Sequence, residues 1–136
     1  MTLAKVAISV LALCLAVACS DTVSQAERLG SERFDPQRWA AGTPVERGRM
    51  VGSFLQTHEV RSMTAEQVHK LLGSNTGYLH YESEPTYLVG APNTAGGYAD
   101  GFLLVFATDK STPEQRVIGV IFAPEITPDA LRPRRR

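Results

Sequence analysis

Three histidines, His58, His69 and His80, stand eleven residues apart in succession, and evenly spaced imidazoles invite a metal reading. Metal ligation on one helix needs an i,i+4 pair, and mixed ligand sets need clustered cysteines or carboxylates. Neither pattern occurs. His58 falls at the end of a helical segment, His69 on the polar side of another, and His80 in a strand-like stretch, so no metal is expected. A serine nucleophile would need a G-x-S-x-G elbow, which the sequence lacks. Glu82 and Glu84 flank Ser83 and have the residue types of a glycosidase acid pair, but in a polar turn they read as solvated carboxylates. The expectation is a protein that is not an enzyme and holds no cofactor.

The position with a definite chemical task is Cys19. Lys5 supplies a positive charge, Val6 to Val17 form an apolar run of about a dozen residues, and Ala16 and Ala18 lead into the cysteine. Such a run is shorter than the ~20 residues a membrane-spanning helix needs and fits an export signal. Leu15-Ala16-Val17-Ala18-Cys19 resembles a lipobox, although leucine is usual three residues before the cysteine and Ala16 stands there. An ordinary secretory signal cleaved near Ala18 is the alternative. Cys14 lies inside the leader and would be discarded with it, leaving Cys19 alone and no intramolecular disulfide. A diacylglycerol on Cys19 would tether the protein to a membrane, and Ser20 in the next position points to the outer membrane, periplasmic face.

Charge excludes one class of partner. Removing residues 1–18 removes Lys5, so the 14 basic residues become 13 against 14 acidic ones. A nucleic-acid binder would show a strongly basic face, so no nucleic-acid partner is expected; the anchor makes a protein of the cell envelope the expected partner. The chain divides into a leader over 1–18, a lipidated cysteine and polar tether over 19–42, a folded domain over 43–125, and a basic, disordered tail over 126–136. Phe34 and Trp39 interrupt the tether. They either staple its end onto the domain or offer an aromatic contact to a partner.

Two helices are signalled by their caps. Thr43-Pro44-Val45-Glu46 places Thr at N-cap, Pro at N1 and Glu at N3, with Met50, Val51, Phe54 and Leu55 on one face up to about His58. Thr64 and Gln67 form a second capping box, with Met63 and Val68 as a hydrophobic staple and Gly73 as terminator. The period then changes from 3.6 to 2. Strands are expected at Thr86–Val89, Gly101–Thr108 and Arg116–Phe122, with a short hairpin loop from Asp109 to Glu114. Phe102, Leu104 and Phe106 share a face of the second strand, and Ile118, Val120 and Phe122 a face of the third. Residues 78–82 are a further short strand or an extended lead-in. The fold class is α+β, with two short N-terminal helices packed on a three-stranded antiparallel meander.

Two remaining segments could meet partners. The loop from Gly90 to Gly101 is long for a hairpin and rich in glycine; it is either a flexible insertion or a place where Tyr98 contacts a partner. The tail from Arg132 to Arg136 is solvated or touches anionic lipid, each Arg being worth about 1 kcal/mol near such a surface.

Met63, Thr64, Val68, Leu71, Leu72 and Gly73 resemble the second-helix signature of the SmpA/OmlA (BamE-like) family of outer membrane lipoproteins. The likeness departs at Ser62, where glycine is usual, and at Asn75, where proline is usual. Tyr87-Leu88-Val89-Gly90 is similar to the strand that follows the helices in that family, and the resemblance spans about 43 to 123. It implies a lipid anchor, the two-layer fold, and a non-enzymatic role in outer membrane protein assembly or envelope integrity. The same helix-plus-sheet unit occurs in β-lactamase-inhibitor proteins, which implies the alternative of an inhibitor or sensor domain for a periplasmic protein or cell-wall ligand.

Overall fold

Thr43 and Thr64 each open a helix by the same exchange of hydrogen bonds. Thr43 Oγ1 accepts from the Glu46 N–H at 3.3 Å while Glu46 Oε2 accepts from the Thr43 N–H at 3.0 Å. Thr64 and Gln67 repeat the pattern at 3.3 and 2.9 Å. Each box satisfies two backbone donors that a helix start leaves open. The computed structural model describes residues 21–76, 84–98 and 101–135. Its helices are α1 over 21–27, α2 Pro36–Ala41, α3 Pro44–Thr57 and α4 Ala65–Leu72, with a 3-10 turn at Val60–Ser62 between the last two. The strands are β1 Thr86–Val89, β2 Phe102–Thr108 and β3 Val117–Ala123.

The protein is α+β, with the helices preceding the strands in sequence. The sheet order is β1-β2-β3, both pairs antiparallel, with Tyr87 opposite Leu104 and Leu104 opposite Phe122. Met50, Val51 and Phe54 of α3 and Val68 and Leu72 of α4 meet Tyr87, Val89, Phe102, Leu104, Phe106 and Phe122 in one core. Helix α3 approaches the end of β1 closely: the Gly90 N–H donates to the Pro44 carbonyl at 2.7 Å, and a Cβ on Gly90 would lie 2.7 Å from the Val45 backbone. Gly73 ends α4 at φ 83°, a region glycine enters at no steric cost.

Three expectations are corrected. The composition of 19–42 predicts a tether, but from residue 21 onward it is folded: α1 buries Gln25 and Ala26, and α2 buries Trp39. The segment 126–136 was expected to be disordered, but Ile126 is fully buried and Ala130 nearly so, with backbone bonds from Ala95 to Arg132 and from Gly96 to Ala130. Composition missed both because a few anchors hold each segment in place of a continuous apolar stripe. The third correction concerns the face of β3. A register shift between Ala107 and Thr108 sets Val117 opposite Thr108, so Val117 enters the core and Ile118 is left 58 % exposed. The 78–82 segment lies outside the described residues.

Candidate functional site

The residues with catalytic potential are dispersed. His58 ends α3, where its Nδ1 lies 3.1 Å from the Phe54 carbonyl and its ring stacks on Phe54 at 4.4 Å. The Nε2 of His69 lies 2.9 Å from Asn75 Oδ1, and Asn75 in turn accepts from the Thr86 N–H and donates to the Glu84 carbonyl. These imidazoles thus serve a helix end and the β1 edge, on separate parts of the molecule. Among the described residues no group of three His, Cys, Asp or Glu could hold a metal ion. Glu84 pairs with Lys110 at 3.3 Å; His80, Glu82 and Cys19 lie outside the described residues.

Of the aromatic residues expected at a partner contact, Trp39 is a staple. It is 1 % exposed, its Nε1–H donates to the Leu72 carbonyl at 2.8 Å, and Arg47 stacks over its ring at 5.2 Å. Asp35 accepts from the Arg38 N–H and Pro36 takes N1, so α2 is built with the same cues as α3 to deliver that ring. Phe34 sits half-buried edge-on to Phe54 at 5.0 Å and is continuous with the core. Tyr98 is 40 % exposed, and the Tyr98 and Gly101 backbones bond one another across the loop tip. The loop from Gly90 is tied to the chain end: Thr94 pairs with Pro133, and Arg134 donates to the Gly97 carbonyl at 3.1 Å. Tyr87, edge-on to Trp39 at 6.0 Å, donates its hydroxyl to the Gly73 carbonyl. Burial pushes its phenol well above its ordinary pKa, with the Arg47 charge opposing weakly. The exposed Asp109 carboxyl is held below its ordinary pKa by hydrogen bonds from the Ser111 hydroxyl and N–H, which close the hairpin loop.

Among the described residues, two apolar grooves lie on either side of the 3-10 turn. One, of about 240 Å³, lies between α1, α3 and the outer edge of β3, and is lined by Thr22, Val23, Leu55, Val60, Val120 and Ile121, with Arg61 as its charged member. The other, of about 570 Å³ and wider open, runs from His58 past Met63 to Leu71, Gln67 and Lys70. Sequence reasoning missed the first groove because it missed α1. The signal was present: Val23, Ala26 and Leu29 recur every third residue, a helical spacing.

Comparison with protein-family models, with curated proteins and with solved structures gave no match.

Proposed function

We propose that the protein is a lipid-anchored module at the periplasmic face of the outer membrane that works by binding another envelope protein and catalyses no reaction. The SmpA/OmlA resemblance at Met63 to Gly73 suggests service in outer membrane protein assembly or envelope integrity. What carries the reading is a juxtaposition: helix α1 is already formed at Asp21, two residues after the lipobox-like cysteine, and an open apolar groove runs along Met63 and Leu71. A single acyl chain holds a protein only marginally, whereas two or three hold it firmly at about 0.8 kcal/mol per buried CH₂. A diacylglycerol on Cys19 would fix the domain at the surface and present the α4 groove to its neighbours.

Two measurements test this. Mass spectrometry of the peptide from Cys19 to Arg28, taken from native membranes, should show a diacylglyceryl cysteine; an unmodified thiol on a protein released without detergent overturns the anchor. A photoreactive side chain in place of Leu71 should cross-link in cells to a component of the β-barrel assembly machinery, and the same probe at exposed Glu114 should not. Equal labelling at the two positions would overturn the binding role.

A further inference from the structure

Among the described residues three large apolar side chains are exposed: Tyr98, Ile118 and Ile121. Two of them stand on β3, which is an edge of the sheet. Natural edge strands are guarded by charge, proline or a covering element, because an open apolar edge recruits other chains. The run Ile118-Gly119-Val120-Ile121 contains no charge and no proline, and α1 and the 3-10 turn cover it only in part. Its outer side receives one hydrogen bond from α1, from Thr22 Oγ1 to the Val120 carbonyl at 3.2 Å, and beside that bond opens the smaller groove. This edge has the character of a surface that is covered in use.

The chain's own geometry indicates what covers it. Thr22 lines the groove and lies three residues after Cys19, so at full extension the two Cα atoms are at most about 11 Å apart. A lipid on Cys19 is therefore attached within a short reach of the groove beside β3. The groove's walls, Val23, Leu55, Val60, Val120 and Ile121, are apolar, which suits a segment of hydrocarbon chain. Arg61, the charged residue in the lining, is placed to meet a headgroup phosphate. We propose that the groove, with Ile121 in its wall and Ile118 exposed on the same strand, is the face on which the domain rests on the lipid surface that holds its anchor. This inference rests on the reading of Cys19 as acylated.

The test uses the full lipidated protein, purified in detergent and reconstituted into phosphatidylcholine vesicles. With the leader and its Cys14 cleaved away and Cys19 capped by its own lipid, Ile121→Cys supplies a single free thiol for a nitroxide label, and Glu66→Cys on α4 supplies a control position that is 78 % exposed. The ratio of oxygen to water-soluble nickel-reagent collisions should be severalfold higher at 121 than at 66. Equal ratios on protein that floats with the vesicles overturn the inference while leaving the anchor intact. Protein that fails to float and carries a free thiol at position 19 overturns the anchor and the inference with it. Shielding at 121 that appears only when envelope proteins are added assigns the edge to a protein partner and likewise overturns the lipid contact.

Discussion

In β2 every residue from Phe102 to Phe106 is buried, whereas across 21–42 the buried apolar side chains are Ala26 and Trp39. The sheet is held by contiguous area, and the two ends of the chain are held by isolated anchors that also hold one another. Gln25 Oε1 accepts from the Ile126 N–H at 2.9 Å, and Arg28 donates to the Ile126 carbonyl at 2.7 Å, across about a hundred residues of sequence. Where burial is spread over many neighbours, one truncation removes a small share of the total. Where a single ring or amide fastens a whole segment, the same truncation should release the segment. The difference between the two regions thus predicts where sensitivity to mutation lies.

The largest effect is expected at Trp39. Trp39→Ala empties the space between α2, α4 and Tyr87 and strands the Leu72 carbonyl that the indole N–H now satisfies. Core Trp truncations cost about 3–5 kcal/mol, a large part of the ~5–15 kcal/mol that holds a domain together. Urea unfolding of the variant should show a midpoint shifted accordingly. A loss below about 1 kcal/mol would mean that 21–42 is an appendage outside the cooperative unit, and the contrast drawn above would fail.

Gln25→Ala should have an intermediate effect. Gln25 is 7 % exposed and its amide oxygen is the partner of the Ile126 N–H in a buried setting. Leaving such a donor unpaired costs about 1–3 kcal/mol. Amide exchange should quicken first over 126–130 and α1, while β2 amides keep the protection of the global fold. Uniform acceleration across all three would show that the ends and the sheet open together and are not separately fastened.

The same contrast explains what could be read from the sequence. Both capping boxes, the ends of α3 and α4 and all three strands follow from local cues, because a Thr three residues before Glu or Gln and a period-2 apolar run act within a few residues of themselves. The anchors of the ends act at a distance. Nothing near Gln25 shows that its partner is Ile126, and nothing near Ala130 shows that it packs beside Gly96. Asp35-Pro36 could have been read as a helix start, since it repeats the logic of Thr43-Pro44. Val117 replaced Ile118 in the core because the register shift at Ala107/Thr108 depends on how two strands meet. The groove beside β3 was hidden because its walls come from residues nearly a hundred positions apart.

Arg134 offers the smallest and most discriminating test. Its guanidinium donates to the Gly97 carbonyl at 3.1 Å and to the Thr94 carbonyl at 3.4 Å, so a cationic tail fastened by charge would depend on it. The residue is exposed, however, and its shorter bond, to Gly97, lies at the surface where water can replace it. Ile126 and Ala130, by contrast, are shielded among the core residues. If apolar anchors fasten the end, Arg134→Ala should change stability by no more than about 0.5 kcal/mol, and raising the salt concentration should not loosen the segment, since screening acts mainly on exposed charges. A thermal unfolding series with and without added salt separates the two cases. Loss of amide protection at Ala95 and Gly96 in the variant, or in high salt, would place the fastening in the arginine and reverse the assignment.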